Sequence, residues 1–162
     1  MAAYIFQPSS PVQLSVRHKQ QTQNAECLAI CVEMVLTYLG ASFNAAQIAS
    51  TLRIQPNVGT PFPNIQSLEK LNILVGYRRN GTLETLYTLL QHGWPVIASV
   101  DTGPLPYWDI STGHAVVVVG MADEYIFLND PGMPAGPIRV RLGDFDLAWL
   151  EQDERYAVLA VQ

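Results

Sequence analysis

Cys27 stands where a cysteine can act as a nucleophile. The stretch QTQNAECLAICVEMVLTYLG (21–40) carries apolar residues at near-helical spacing before Gly40, which predicts a helix over 25–38 with Asn24 as its N-cap. Cys27 would then lie in the first turn, where the positive end of the helix dipole lowers the pKa of a thiol. Because the thiolate is the nucleophilic form, this placement is typical of cysteine catalysis.

Cys31, the second cysteine, follows one helical turn later and favours a structural interpretation. It lies between Ile30 and Val32, so we expect it to pack in the core. A buried structural thiol is also the alternative interpretation of Cys27. The spacing is poor for a disulfide and differs from the short CxxC loop of zinc sites. We therefore expect two free thiols, a reducing, cytoplasmic location, and no metal or organic cofactor.

A cysteine nucleophile needs a base, and the chain has three histidines. His92 ends a predicted helix and His18 lies in the polar run RHKQQTQN, so we expect both at the surface. His114 begins the most apolar predicted strand, HAVVVVGMA, which would hold its ring at the end of a sheet. His114 is therefore the candidate base.

Asp130 is the candidate for the third group, which orients the imidazole. It ends the predicted strand that follows the tight turn ADE (122–124). In a hairpin that turns at position 122, residues 114 and 130 are equidistant from the turn. The spacing therefore predicts that His114 and Asp130 are direct cross-strand neighbours.

An acyl-transfer site also needs hydrogen-bond donors aimed at the developing oxyanion. The backbone N–H of Cys27 is free at the start of a helix. A glutamine side chain just upstream would supply a second donor, and the spacing leaves Gln20, Gln21 and Gln23 open.

The loop TGPLPYWDISTG (102–113) comes directly before His114. Long Pro-rich and aromatic loops often line clefts. Tyr107 and Trp108 are therefore candidate substrate contacts, with a cover for the sheet edge as the alternative role.

The elements that must position these residues are helices in the first half of the chain and strands in the second. Besides the Cys27 helix, helical patterns cover 44–53, 64–73 and 82–93. Short β-branched runs predict strands over 95–101, 114–122, 125–130, 138–142 and 156–161, with a short helix over 143–152. This order predicts an α+β fold with N-terminal helices packed on a C-terminal antiparallel sheet. No repeat or clean boundary divides the chain, so we expect a single domain, 1–162.

Composition excludes several classes of protein. Hydrophobic residues make up 49% of the chain and charged residues 14%, which is too apolar for a disordered protein. The net charge of −5 argues against nucleic acid as a partner, since phosphate binding needs a basic face. No stretch reaches the ~18 apolar residues of a membrane span, and the N-terminus lacks the pattern of a secretory signal.

Together these motifs resemble those of the papain-like cysteine peptidase family thirty-nine. Gln21, five residues and then Cys27 are similar to the opening motif of that family. LETLYTLLQHGWPVIASVD followed by GHAVVVVGMADEYIFLNDP is similar to its second half. The resemblance runs from about Gln21 to Pro131 and keeps the order Gln, Cys, His, Asp. The family includes the domains that cut double-glycine leaders from bacteriocin precursors, and standalone domains.

The resemblance implies a papain-like fold and a role for each motif residue. Cys27 would be the nucleophile, His114 the general base and acid, Asp130 its orienting group and Gln21 the oxyanion donor. The activity implied is hydrolysis of peptide or amide bonds in a peptide or protein substrate, of which leader-peptide processing is one form. Leu28 departs from the Gly that many members carry after the Cys.

Two alternatives stay open at this point. One is a catalytically silent pseudoenzyme of the same fold that binds a peptide, although such relatives have typically lost the Cys. The other is an acyl transferase that passes the thioester to an amine, as in papain-like transpeptidases. Spacing does not separate these alternatives from hydrolysis, and it does not predict the oligomeric state.

Overall fold

The computed structural model describes residues 5–162, and these residues form helices packed on an antiparallel sheet. The helices are α1 (Cys27–Tyr38), α2 (Ala45–Leu52), α3 (Leu83–Gln91) and α4 (Leu142–Leu150), with a 3-10 helix at Phe62–Leu71. The strands are β1 (Val12–Gln13), β2 (Ile73–Arg78), β3 (Val96–Asp101), β4 (Gly113–Ala122), β5 (Tyr125–Asn129), β6 (Ile138–Arg141) and β7 (Tyr156–Val161). The predicted α+β class is confirmed.

The sheet contains two strands that the sequence did not predict. Its order is β2-β7-β3-β4-β5-β6, with β1 paired to β4. The helix predicted over 64–73 ends early because Asn72 adopts a left-handed φ of 61°, and the chain then enters β2. β1 has two residues, too few for an alternating pattern to be visible.

The start of α1 also differs from the prediction, since the helix begins at Cys27 and Asn24 is not its N-cap. Ala25 has a φ of 70°, which interrupts the helical backbone just before Cys27. Glu26 occupies the N-cap position, and its carboxylate accepts the backbone N–H groups of Thr22 and Gln23, both at 3.3 Å. The loop ahead of Cys27 is thus closed on itself, and Cys27 is the first helical residue.

The C-terminus of α1 is fixed by the glycine that the sequence indicated. Gly40 has a φ of 72°, and the next N–H, of Ala41, donates to Leu36 at 3.0 Å. This Schellman pattern satisfies carbonyls that the end of a helix leaves open.

Helix α1 is a core helix, because residues 28–36 are all buried. It packs on β4, and burying each large apolar side chain there contributes about 1.5–3 kcal/mol to stability. Cys31 is fully buried in this cluster, as predicted. Burial raises the pKa of the Cys31 thiol, and the charges of Cys27 and Asp130 act in the same direction. The packing of α1 fixes where Cys27 meets the sheet.

The hairpin of β4 and β5 corrects the predicted register. Its turn has two residues, with Ala122 opposite Tyr125, and a β-bulge lies between Val118 and Gly120. The last pair is Val117 with Asn129, so the next step of the ladder would set Asp130 opposite Val116. His114 and Asp130 are therefore diagonal neighbours on one face, and the prediction of a direct cross-strand pair was wrong.

Within residues 5–162, none of the helices is both long enough and apolar enough to cross a membrane.

Candidate active site

His114 and Asp130 form a buried, hydrogen-bonded pair at one end of the sheet. His114 Nε2 lies 2.6 Å from Asp130 Oδ1, and both side chains are at most 5% exposed. The ionised carboxylate only accepts, so Nε2 carries the hydrogen and Nδ1 is left for a partner on the other side of the ring. The packing of Trp108, edge-on to the imidazole at 4.9 Å between ring centres, restricts the ring further.

Asp130 is held by four donors. Besides His114, Oδ1 accepts the backbone N–H of Gly132 at 2.8 Å. Oδ2 accepts the Tyr107 hydroxyl at 2.7 Å and the Trp108 indole N–H at 2.9 Å. A buried carboxylate is costly unless it is paired, and here every oxygen has two donors.

These contacts shift the pKa values of both partners. Burial alone would raise the pKa of Asp130, but the bonds from His114, Trp108 and Tyr107 hold it below its ordinary 3.8. Burial alone would lower the pKa of His114, but Asp130 and the neighbouring Cys27 raise it from 6.5 to about 9. Burial and the Asp130 charge also raise the pKa of Tyr107, so that it stays a donor. Asp130 is thus an ionised acceptor, and His114 keeps its proton at neutral pH.

Cys27 and Gln21 meet His114 at a cavity of about 670 Å³. Cys27 is partly exposed there, as the first residue of α1. Its backbone N–H is among the helix-start donors without an intrahelical acceptor. Trp108, Ile110 and the segment 57–63 form further parts of the wall.

Of the three upstream glutamines, Gln21 is the one that lines this cavity. Its backbone N–H donates to Pro131 O at 2.8 Å, while Gln20 and Gln23 are exposed. The Gln21 Oε1 atom is buried and has no hydrogen-bond partner among residues 5–162. Within residues 5–162, no hydrogen bond to this oxygen therefore fixes the orientation of the Gln21 amide.

The aromatic pair of the 102–113 loop differs from the expectation. Trp108 lines the cavity, which keeps it a candidate substrate contact, but Tyr107 does not. The hydroxyl of Tyr107 instead donates to Asp130, the carboxylate that also binds His114. A Tyr-Trp dipeptide ahead of a histidine carries no sequence signal for this arrangement, because it depends on how the loop folds back.

His18 was expected at the surface, but it supports the site. Its Nε2 donates to the backbone oxygen of Asp130 at 2.8 Å. Asn129 Nδ2 donates to Val16 O, also at 2.8 Å. Together with the Gln21–Pro131 bond, these contacts fasten the N-terminal strap (residues 16–21) to the end of β5. His92 is at the surface, as expected, with Nδ1 bonded to Thr88 O at the end of α3.

No curated protein matches the sequence significantly. One protein-family model does match, that of the Peptidase C39 like family, over residues 13–156. The chain belongs to this family. The resemblance to family thirty-nine is thereby confirmed over most of the chain.

Solved structures of C39-type peptidases have the same fold. A Bacillus anthracis protein assigned as a C39-like peptidase superposes with a TM-score of 0.76 and 18% identity, covering 95% of this chain and 99% of its own. The peptidase domain of Streptococcus ComA, a bi-functional ABC transporter involved in quorum sensing, superposes with a TM-score of 0.70 at 18% identity. The match covers 91% of this chain and 99% of the ComA domain. A double glycine motif protease from an AMS/PCAT transporter, in complex with the leader peptide, superposes with a TM-score of 0.68 at 17% identity. The match covers 96% of this chain and 100% of that protease chain. At these identities the likeness concerns the fold.

Proposed function

We propose that this C39-like chain is a cysteine peptidase that hydrolyses peptide bonds through Cys27. The observation that carries the proposal is the buried His114–Asp130 bond of 2.6 Å beside a cysteine at the first turn of a helix. In this proposal His114 is the general base and acid, and Asp130 orients it. Gln21 and the Cys27 backbone N–H are the oxyanion donors, which requires Gln21 Nε2 to face the cavity.

The reaction would proceed in two halves. In the thiolate–imidazolium pair that the raised pKa of His114 favours, the proton of Cys27 already lies on His114 Nδ1, and the thiolate attacks the carbonyl carbon of the scissile bond. The oxyanion of the tetrahedral intermediate accepts bonds from the two donors, and His114 then protonates the leaving amine. Water, deprotonated by the now neutral His114, attacks the thioester, releases the acid and restores the Cys27 thiolate beside protonated His114.

We infer that the substrate is a peptide, and that leader-peptide processing is the narrower form of this activity. This inference is supported by family membership and by the structural relative that is complexed with a leader peptide. The two free thiols favour a reducing compartment such as the cytoplasm.

Site-resolved alkylation tests the thiolate–imidazolium pair first. Iodoacetamide labelling of Cys27 is measured against pH by mass spectrometry, for wild type and for His114→Ala. We expect wild-type Cys27 to react well below the ordinary thiol pKa of ~8.5, and this reactivity to be lost in the variant. Cys31, fully buried in α1, is the internal control and should stay unlabelled in both proteins. Equal, slow labelling of Cys27 in the two proteins would contradict the proposal.

Peptide digestion then tests hydrolysis. Peptides with and without a double-glycine site are incubated with wild type and with Cys27→Ala, and the products are sequenced by mass spectrometry. New C-terminal acids that require Cys27 support hydrolysis. Amine adducts in place of acids would indicate acyl transfer, and no products from a reactive Cys27 would indicate a peptide-binding protein. Cleavage confined to the double-glycine peptides would support leader processing.

A further inference from the structure

Arg155 gives the cavity a permanent positive charge. Among the described residues that line it, Cys27 and His114 are the other titratable side chains, and none is a carboxylate. This contrasts with the whole chain, which has 14 acidic residues against nine Lys and Arg and a net charge of −5. A guanidinium stays protonated at any pH at which the protein is folded. No carboxylate in the cavity wall therefore neutralises the Arg155 charge.

The bonds that Arg155 makes leave much of its guanidinium unsatisfied. Its Nη2 donates to Asp153 Oδ2 at 3.1 Å, but Asp153 is 52% exposed and also accepts from Arg79 at 3.2 Å. Two arginines thus share one solvent-screened carboxylate. The Arg155 Nε atom is buried and has no hydrogen-bond partner among residues 5–162. Because a guanidinium has five N–H donors, Arg155 can accept an anionic ligand without losing its bond to Asp153.

The position of Arg155 in the sheet sets its distance from His114, the candidate base. Ser99 N donates to Arg155 O at 3.1 Å, and Ser99 lies opposite Ala115, the residue after His114. Adjacent strands are ~4.8 Å apart, so the Arg155 backbone lies roughly 10 Å across the sheet from His114. Ser99 and Ala115 line the cavity between them. An extended peptide advances ~3.3 Å per residue, so this distance corresponds to about two to four residues.

We propose that Arg155 forms an anion subsite which binds a carboxylate of the peptide, about two to four residues from the bond that lies at Cys27. The reference to that bond rests on the proposed function, whereas the binding of the peptide does not require cleavage. The carboxylate has two sources, an Asp or Glu side chain or the C-terminus of a short peptide. Both present the planar, two-oxygen group that a guanidinium recognises.

The test is a binding selection on Cys27→Ala, which cannot form a thioester. Random short peptides, made as C-terminal acids and as C-terminal amides, are passed over the immobilised protein, and retained peptides are sequenced. The comparison protein is Cys27→Ala with Arg155→Gln. The matched control is Cys27→Ala with Arg79→Gln, which removes an equal charge and the other Asp153 partner outside the cavity. Arg155→Lys on the same background keeps the charge and guards against a folding effect.

We expect Cys27→Ala to retain Asp or Glu at one position, or acids over amides, by about tenfold. The preference should fall to none with Arg155→Gln and persist with Arg79→Gln. Enrichment of Asp or Glu in both libraries assigns the site to a side chain. Enrichment of acids alone assigns it to a C-terminus. Retention of peptides without any anionic preference, a preference that survives Arg155→Gln, or no retention at all would overturn the proposal.

Failure of this inference is distinguishable from failure of the proposed function. The retained peptides are next offered to the wild-type protein. Peptides that bind through Arg155 but are never cut would contradict the peptidase and leave the anion subsite intact. Peptides that are cut equally well with Arg155→Gln would support the peptidase and contradict the subsite.

Discussion

At the scale of single residues, the central feature is a carboxylate with four donors behind an imidazole. Asp130 is fully buried, yet its surroundings keep it ionised and raise the pKa of His114 to about 9. Amide cleavage needs a general acid that protonates the leaving amine, so the pKa of His114 should set the pH range in which the reaction is fast.

Asp130→Asn should move the pH dependence of the reaction. In wild type, His114 holds its proton up to about pH 9, so kcat/KM should decline on the alkaline side near that value. The asparagine removes the charge and the strong acceptor that raise the pKa, and the alkaline decline should shift toward 6.5. We expect kcat to fall by about 10²–10⁴-fold. An alkaline limb that stays near pH 9 in the variant would show that Asp130 does not set the pKa of His114.

Trp108→Phe and Tyr107→Phe should each weaken the support of Asp130. Each change removes one donor to a buried carboxylate, which costs about 1.5–3 kcal/mol in urea unfolding. Tyr107→Phe keeps the whole ring, whereas Trp108→Phe also removes the five-membered ring of the indole and therefore costs more through lost packing. The pKa of Asp130 should rise, so the acidic limb of activity should move to higher pH. Tyr125→Phe, a ring packed on Arg139 at 4.2 Å, is the control and should change neither quantity. If neither substitution moves the acidic limb, these side chains only pack and do not position Asp130.

At the scale of elements, the 102–113 loop matters because it carries Tyr107 and Trp108 to Asp130. Thr102 is fully buried and joins the two ends of the loop. Its hydroxyl donates to Ile110 O at 2.6 Å and accepts the N–H of Thr112 at 3.0 Å. This side chain therefore helps to close the base of the loop, beside the backbone bond from Thr102 N to Thr112 O and the bond from Ser111 Oγ to Asp101 Oδ1.

Thr102→Val should release this loop with almost no change of side-chain shape. Two partly buried hydrogen bonds, to Ile110 O and from Thr112 N, are lost, which costs about 0.5–1.5 kcal/mol each. We expect lower stability in urea unfolding and lower kcat, because Trp108 and Tyr107 lose their fixed position. Thr112→Val, the same change at an exposed residue of the loop, should be within about 0.5 kcal/mol of wild type. Equal effects of the two substitutions would argue against a closing role for Thr102.

The elements themselves were largely predictable, and the reasons differ for the parts that were not. Strands such as β3 and β4 are strongly apolar, so their patterns locate them to within a residue. β2 was missed because it follows the 3-10 helix after a single residue, Asn72. The register of the β4–β5 hairpin was wrong because the turn centres between Asp123 and Glu124 and not at position 122, and the bulge, which leaves no mark in the residue types, moves the pairing back by only one residue. The contacts of His18 and Tyr107 with Asp130 depend on tertiary folding, which local sequence patterns do not predict.

At the scale of the whole molecule, one buried charge ties the N-terminal strap to the core helix. Glu33 lies in the buried stretch of α1, and Lys19 Nζ reaches it at 2.6 Å. The same strap holds Gln21 at the cavity, so the integrity of the site depends on this pair as well.

Lys19→Met should destabilise the protein by about 1–3 kcal/mol in urea unfolding. The loss is smaller than the 3–5 kcal/mol of a fully buried pair because Lys19 is half exposed and partly screened by solvent. Arg141→Met, which breaks the exposed pair with Glu124, is the control and should cost about 0–1 kcal/mol. Adding Glu33→Gln to Lys19→Met should restore part of the loss. No recovery would mean that Lys19 acts through packing and not through the charge of Glu33.

The pH dependence of stability should also report the buried pair. His114 has a raised pKa, so its contribution is complete below pH 6.5 and is lost as the pH rises through about 9. Asp130 has a lowered pKa, so its contribution is present above pH 3.8 and is lost on further acidification. The difference in unfolding free energy between wild type and His114→Gln should therefore be largest between pH 4 and 6.5 and shrink toward pH 9. A difference that grows from pH 7 to 9 would contradict the sign of the shift.

The bulge in the β4–β5 hairpin decides which face of the sheet carries Asp130. Side chains on a strand alternate between faces, and Asp130 shares a face with His114 because one extra residue is accommodated between Val118 and Gly120. Without it, the register at Ala122 and Tyr125 would continue to set Asp130 opposite Val117, on the other face. A single insertion or deletion between the bulge and His114, or between the bulge and Asp130, should therefore turn that side chain away from the other, and two in the same strand should move it ~6.6 Å along the strand. Only a matching change in the partner strand should keep the two side chains in contact, so the two strands of this hairpin must change length together.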